Sequence, residues 1–197
     1  AAERFLYRLG QSRLRAQFIL KGGMLMALRG TQYRPTRDLD FTGYGTAAPE
    51  ELVAAIREIC GGPDPVAELV FDTETIACEP IRDDSEYHGY RAVIWASLGA
   101  SRIRLQVDIG FGNNIVPGPE ELECRTLLDD PTPRVLAYPH ESVIAEKLHA
   151  MVVLGERNSR YKDFYDVHAM AGAFPFDRDT LVRAMAATFE RRATPIA

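Results

Sequence analysis

Residues 102–111 alternate strictly between apolar and other side chains, and this alternation constrains the fold more than any other stretch. The pattern is typical of a half-buried β-strand. One face of the strand would carry the apolar residues Ile103, Leu105, Val107, Ile109 and Phe111. The other would carry Arg102, Arg104, Gln106, Asp108 and Gly110. Residues 89–98 precede it across Gly99-Ala100-Ser101. We therefore predict an antiparallel pair, within a strand-rich region over residues 66–111, that presents Asp108 on its polar face.

Apolar spacing and turn residues predict the remaining elements. Helices are expected over residues 2–17, 24–29, 49–60, 139–154, 160–172 and 177–190, and a short strand over residues 38–42. The proline-rich residues 113–134 are interpreted as a connector. This order of elements indicates an α+β fold with a helical C-terminal lobe. We expect an α/β core over residues 1–134 and the lobe over residues 135–197, in one compact unit that is a piece of a longer protein.

Composition excludes several classes of protein. The chain has 197 residues with ordinary apolar and charged fractions, which excludes disordered, collagen-like and coiled-coil chains. It contains no run of about 20 apolar residues, the length that a membrane helix needs. Its three cysteines, Cys60, Cys78 and Cys124, are too few and too scattered for a disulfide framework or a zinc site. We interpret them as idle thiols in a reducing cytoplasm.

The charge is distributed unevenly along the chain. The net charge is −5, yet residues 1–45 carry eight arginine or lysine residues against three acidic ones. Arg29, Arg34 and Arg37 lead directly into Asp38-Leu39-Asp40. Basic residues beside paired carboxylates suit a polyanionic substrate held through a metal ion. The alternative is a solvated basic surface followed by an acidic one.

Asp38 and Asp40 are the strongest candidates for a chemical role. They lie two residues apart on a predicted strand and therefore share one face, while Leu39 and Phe41 share the other. Two carboxylates so placed repel each other unless a cation lies between them. Oxygen ligands of this kind suit Mg²⁺ or Mn²⁺. Asp108 is the candidate third carboxylate of a two-metal phosphoryl-transfer site. The alternative is a solvated turn without metal.

Three further patterns have both functional and structural interpretations. Gly22-Gly23 separates an apolar run from a helix and can admit a phosphate to backbone N–H groups, or form a simple turn. Lys147 lies at the edge of an apolar helical stripe, where it can snorkel or reach an internal anion. Asp163 and Asp166 share one helix face, where capping and a Lys162–Asp166 ion pair are the structural alternative. The four histidines, His88, His140, His149 and His168, lack metal-ligand spacing and are expected to be structural.

Four motifs occur in a characteristic order: Lys21-Gly22-Gly23, Arg37-Asp38-Leu39-Asp40-Phe41, Glu146-Lys147-Leu148 and Arg160-x-Lys162-Asp163-Phe164-Tyr165-Asp166. Over residues 18–170 the chain thereby resembles the AbiEii/AbiGii-type nucleotidyltransferase toxins of the DNA polymerase β-like nucleotidyltransferase superfamily. The resemblance implies a nucleotidyltransferase-like mixed sheet with flanking helices. It also implies a bacterial cytoplasmic toxin, paired with a separately encoded antitoxin protein. Such proteins transfer a nucleotide from an NTP to RNA, with tRNA 3′ ends the best-described acceptor, and others bind GTP.

The resemblance also implies roles for single residues. Asp38 and Asp40 would bind Mg²⁺ or Mn²⁺, Gly22 and Gly23 would hold the triphosphate, and Lys147 would contact phosphates. Asp163 or Asp166 would complete the site from the lobe, in competition with Asp108 as third carboxylate. Either Asp108 or Asp163 would act as base.

The chain departs from the superfamily pattern at one position. Met24 follows Gly23 where Ser or Thr is common, so Thr36, beside Arg37, is the candidate replacement in nucleotide binding. Two alternatives to RNA modification stay open at this point. One is a non-catalytic NTP-binding module, and the other is an enzyme that modifies a protein hydroxyl.

Overall fold

A computed structural model describes residues 1–30, 36–45, 48–66, 68–81, 89–126, 128 and 130–195. The described residues form six helices and seven strands, in the order α1 Ala2–Gln11, β1 Phe18–Lys21, α2 Gly22–Leu28, β2 Asp38–Gly43, α3 Pro49–Cys60, β3 Leu69–Pro80, β4 Gly89–Leu98, β5 Ser101–Phe111, β6 Glu120–Glu123, β7 Arg134–Ala137, α4 His140–Leu154, α5 Tyr161–Ala173 and α6 Arg178–Arg191. The predicted α+β class is confirmed.

The strands form one mixed sheet in the order β3-β4-β5-β2-β1-β7-β6. β4 pairs antiparallel with β3 and β5, and β2 lies parallel to β5 and antiparallel to β1. β1 is parallel to β7, which is antiparallel to β6. The hairpin predicted from residues 89–98 and 102–111 is confirmed with nearly the same bounds. The centre of the sheet is thus built from short strands that are distant in sequence.

One face of the sheet carries the hydrophobic core. Leu105, Val107 and Ile109 of β5 are buried, as are Leu39 and Phe41 of β2. Three ring pairs fill the space in front of them, with centroids 6.1–6.3 Å apart: Phe5–Phe41, Phe5–Phe71 and Phe18–Phe41. Because side chains alternate along a strand, this burial directs Asp38, Asp40 and Asp108 to the opposite face.

Two predicted boundaries were wrong. α1 ends at Gln11 rather than at residue 17, because the Ser12 hydroxyl accepts from the Leu14 N–H and Arg15–Gln17 form a separate 3₁₀ turn. The connector predicted over residues 113–134 contains β6 and meets β7 at its end. These four-residue strands pair with each other and, through β7, with β1. The partners of these two strands therefore cannot be identified from a local sequence pattern.

The helices α4, α5 and α6 pack against one another at the C-terminal end. The Tyr138 N–H donates to the carbonyl of Leu20, and the Ser142 hydroxyl donates to that of Val116 at 2.8 Å. These bonds join the lobe to the sheet just after β7, which spans the predicted boundary at residues 134 and 135. In the described part of the chain, no helix combines the length and apolar character of a membrane span.

Candidate active site

Asp38 and Asp40 extend from the polar face of β2, as the alternation predicts. In the sheet register, Asp40 lies opposite Lys21 of β1 on one side and Asp108 of β5 on the other. Asp38 lies opposite Gln106. Asp38 is exposed, whereas Asp40 is partly covered. The structure therefore brings the three predicted carboxylates to adjacent positions on one face.

The Gly22-Gly23 turn lies directly against the Asp40 side chain. A Cβ atom at Gly22 would lie 2.2 Å from Asp40 Oδ2 and 2.8 Å from Asp40 Cβ, closer than real side chains approach. The Gly22 φ angle of +68° also disfavours any residue with a side chain. The Gly23 backbone N–H donates to the Asp40 carboxylate. Gly22 is thus required at its position, and Gly23 contributes its backbone N–H to the same carboxylate.

The surroundings of Asp40 disfavour its charge. Burial and the neighbouring charge of Asp108 raise the pKa of Asp40, and the charge of Asp38 adds to this effect. Lys21 and the Gly23 N–H act in the opposite direction without reversing the shift. A bound cation would relieve this electrostatic cost, since a positive charge nearby favours the ionised form.

Asp108 is already held by other side chains. Arg91 of β4 donates two hydrogen bonds to its carboxylate, at 2.9 and 2.8 Å, and the Gln106 amide donates a third at 3.3 Å. Among the residues that the structure describes, no three His, Cys, Asp or Glu side chains are arranged to hold a metal ion. The described side chains thus do not form the expected three-carboxylate centre, since Arg91 and Gln106 hold Asp108, and the role of Asp108 as third metal ligand stays a prediction. Asp38 and Asp40 stay as a two-carboxylate candidate.

A polar network connects this face to the helical lobe through Glu146 of α4. Lys21 Nζ lies 3.2 Å from Glu146 Oε2, and Arg192 Nη2 lies 3.3 Å from Oε1. The Tyr138 hydroxyl donates to Glu146 Oε1 at 3.1 Å and shares a 2.6 Å hydrogen bond with Thr42. Burial alone would raise the pKa of Glu146, but Lys21 and Arg192 hold it below its ordinary value. Glu146 thus fixes Lys21 beside Asp40.

Lys147, the neighbour of Glu146, belongs to a second cluster. Its ammonium group lies 3.0 Å from Asp163 Oδ1 and also binds Asp166, while Arg160 lies 2.8 Å from Asp163 Oδ2. Asp163 and Asp166 are only 1% and 3% exposed. The predicted shared face of the two aspartates is present, but it faces Lys147, and Lys162 is exposed. The role of Lys147 as a phosphate ligand stays a prediction.

The predicted basic surface before β2 is only partly visible. The side chain of Arg29 is only 6% exposed and pairs with Glu120 and with the Tyr138 carbonyl, so it does not contribute to an exposed basic surface as expected. Thr36 is partly buried and Arg37 exposed, immediately before β2. Arg34 lies outside the described residues, as does His88. The nucleotide-binding roles of Thr36 and Arg37 stay predictions.

Sequence reasoning assigned no role to several residues of these networks. Arg91 and Tyr138 carry no local signal, since their partners are 17 and 96 residues away. Lys21 and Glu146 had a signal in their motifs: each directly precedes a residue that was singled out. The register of β1 against β2, which places Lys21 opposite Asp40, is what identifies Lys21.

The fold and sequence were compared with known proteins. The model of the family described as "Nucleotidyl transferase AbiEii toxin, Type IV TA system" matches residues 4–197. A Helicobacter pylori protein assigned as a nucleotidyltransferase has a similar crystal structure, with TM-score 0.57, 16% identity, and coverage of 93% of this chain and 71% of that chain. JHP933 from Helicobacter pylori is also similar, with TM-score 0.55, 16% identity, and coverage of 96% and 75%. A search of curated proteins finds no significant match. The family match extends over nearly the whole chain, which therefore belongs to the AbiEii nucleotidyl transferase toxins of type IV toxin–antitoxin systems.

Proposed function

We propose that the protein is a Mg²⁺-dependent nucleotidyltransferase that transfers NMP from an NTP to an RNA hydroxyl, with tRNA as the acceptor. Pyrophosphate is the leaving group, and a cognate antitoxin opposes the reaction in the cell. The observation that carries this proposal is the Asp38–Asp40 pair on one strand face, with the Gly22-Gly23 turn against Asp40. This combination sets a candidate cation site directly beside a glycine turn.

Mg²⁺, or Mn²⁺ in its place, fits Asp38 and Asp40. The raised pKa of Asp40 means that its ionised form lacks compensation within the protein. Mg²⁺ is commonly held by one or two carboxylates together with substrate phosphates, so a third protein carboxylate is not required. When bound, the ion would neutralise phosphate charge and favour attack on the α-phosphorus. The chain itself supplies the two carboxylates and their fixed spacing.

Other residues of this face support binding of the triphosphate and orientation of the acceptor. The Gly23 N–H holds the Asp40 carboxylate in place, the Gly22 N–H is the proposed donor to a phosphate oxygen, and Lys21 adds a positive charge that Glu146 holds in place. Asp108 is the better-placed proton acceptor, because it lies beside Asp40 and is less buried than Asp163. Displacement of Arg91 would free its carboxylate for that step.

A labelling assay tests the proposal. The protein is incubated with total tRNA, Mg²⁺ and each α-³²P-labelled NTP in turn, with the Asp38→Asn/Asp40→Asn variant as the inactive control. We expect label in RNA from one NTP with the wild type and none with the variant. Equal label with both proteins would refute the role of the two carboxylates. Label on protein rather than RNA, in a repeat with cell lysate, would replace RNA with a protein hydroxyl as acceptor.

A non-catalytic NTP-binding module, with GTP as the reference nucleotide, is the second candidate. The hold of Arg91 on Asp108 favours it, since this pair withdraws the third carboxylate. Mg²⁺-dependent NTP binding with no labelled product, in both tRNA and lysate, would support this candidate against the transferase.

A further inference from the structure

The outer face of α5 carries three exposed aromatic side chains. Tyr161 is 78% exposed, Phe164 49% and Tyr165 54%. Their spacing of three and four residues places them side by side on one helix face. Single exposed apolar residues are ordinary, whereas contiguous exposed apolar patches are typical of interaction surfaces.

The charges around these rings favour an anionic partner. Arg157, Arg160 and Lys162 are exposed next to them, and Glu156 is the exposed acidic residue nearby. The two acidic residues of α5, Asp163 and Asp166, face inward, where Lys147 pairs with both and Arg160 pairs with Asp163. Arg157 and Lys162 therefore remain as the exposed cations beside the rings. The outer face of α5 is therefore aromatic and positively charged.

This combination matches the chemistry of unpaired nucleotides. Their bases stack on aromatic side chains, and lysine or arginine neutralises the phosphate backbone beside them. An apolar protein partner would cover the rings but would leave Arg157 and Lys162 to be desolvated without compensation. We propose that the outer face of α5, formed by Tyr161, Phe164 and Tyr165 with Arg157 and Lys162, binds unpaired nucleotides of the acceptor RNA. The inference rests on the proposed function for the identity of the RNA as acceptor.

Ion pairs connect α5 through α4 to the candidate active site. The inner face of α5 is fixed to α4 through Lys147, and the adjacent Glu146 contacts Lys21, which lies opposite Asp40. The face is thus on the same packed unit as the residues that would bind the NTP, but it points away from them. An RNA acceptor extends well beyond its reacting nucleotide, so a second contact surface of this kind would orient it.

Direct RNA binding tests this inference without NTP or turnover. Fluorescence anisotropy would measure the affinity for a labelled, unpaired RNA of about 12 nucleotides, within the usual site sizes. The test variant is Tyr161→Ala/Phe164→Ala/Tyr165→Ala, and the matched control is Val182→Ala, an exposed apolar residue on α6. We expect at least tenfold weaker binding for the triple variant and unchanged binding for the control. Tyr165→Phe should bind as the wild type, because it keeps the stacking ring.

The cations have a separate signature. Lys162→Gln should weaken binding and lower the slope of log affinity against log salt by about 1, because one phosphate would no longer be neutralised by this side chain. The aromatic triple variant should keep the wild-type slope, because stacking releases no counterions. Circular dichroism would verify that each variant is folded, and exposed positions tolerate such changes.

Two outcomes would overturn the inference. One is unchanged RNA affinity of the folded triple variant. The other is self-association of the wild type that the triple variant abolishes with no effect on RNA, which would make the face a self-interface. The result is separable from the proposed function. Aromatic-dependent RNA binding without nucleotide transfer would refute the transferase alone, whereas transfer with an unchanged KM for tRNA in the triple variant would refute the α5 surface alone.

Discussion

Replacement of Gly22 by alanine tests the central geometric claim about the candidate site. Gly30 offers a matched control, because both glycines have left-handed backbone conformations, with φ +68° and +73°. Among the described residues, a Cβ at Gly30 meets nothing within 4 Å, whereas one at Gly22 meets the Asp40 side chain. The two substitutions therefore share the backbone strain and differ in the clash.

The expected magnitudes follow from these two terms. An alanine in the left-handed region costs about 1–2 kcal/mol, and both variants lose this much. The clash adds roughly 1–3 kcal/mol for Gly22→Ala alone. A new rotamer of Asp40 cannot remove it, because Asp40 Cβ lies 2.8 Å from the new atom and is fixed by β2. For a chain of this size each kcal/mol lowers Tm by about 2–4 °C. Gly22→Ala should thus melt roughly 2–12 °C below Gly30→Ala.

The same displacement should affect the chemistry. A carboxylate moved by about 1 Å can lower a rate by about 10²-fold, so transfer activity should fall by that order in Gly22→Ala and stay near wild type in Gly30→Ala. Thermal unfolding followed by circular dichroism, together with the labelling assay, measures both effects. In an Asp40→Gly background the extra destabilisation of Gly22→Ala should disappear. Equal melting temperatures and activities of the two alanine variants would refute the packing of Gly22 on Asp40.

Two further predictions concern the carboxylate clusters. Lys147→Met should lower the unfolding free energy by about 3–5 kcal/mol in a denaturant titration, because Asp163 and Asp166 lose their shared cation. Addition of Asp163→Asn and Asp166→Asn should recover much of this loss. The exposed control Lys162→Met should change the unfolding free energy by under about 0.5 kcal/mol. Equal stability of Lys147→Met and this control would contradict the buried ion pairs of Lys147. Asp40→Asn should raise the Tm measured at pH 7 without Mg²⁺. Because the pKa of Asp40 is raised, the stability of the wild type falls as pH increases through the titration of this carboxyl group, and the full loss of stability is present above that pH range. The Asp40→Asn variant should lose this pH dependence of stability and also the increase in Tm on addition of Mg²⁺. The control Asp72→Asn, at an exposed site on β3, should keep both. An identical response of Asp40→Asn and the wild type would refute the cation site.

The sequence predicts those parts of the structure whose signals are local. The alternation over residues 102–111 predicts β5 and the sheet face of Asp108. The apolar residues Leu39 and Phe41 predict in the same way the sheet face of Asp38 and Asp40. β6 and β7 escaped prediction because four-residue strands show too little alternation and depend on partners far along the chain. The same limit applies to the end of α1, where a single serine hydroxyl ends the helix six residues before the apolar pattern does.

The site could be predicted in its residue types but not in its pairings. Asp163 and Asp166 share a helix face on spacing alone, yet the partner of Asp166 is Lys147 rather than the adjacent Lys162. The difference arises from burial, because α5 packs this face on α4 and leaves Lys162 in solvent. Likewise the capture of Asp108 by Arg91 depends on the β4–β5 register, in which the two residues are directly opposite. Burial and the exact register of paired strands are information that no motif contains.

The two carboxylate clusters differ in how completely the protein compensates their charge. Asp163 and Asp166 are deeply buried, but Lys147 and Arg160 supply the opposite charges, so this cluster is stable without a ligand. Asp40 is covered as well, yet Lys21, the described cation that lowers its pKa, has its ion pair with Glu146 instead. An undercompensated carboxylate next to a lysine that is paired with another residue lowers the stability of the fold at this point. This arrangement fits the proposed binding of a cation together with an anion, because a metal ion would satisfy Asp38 and Asp40 while a phosphate would compete with Glu146 for Lys21.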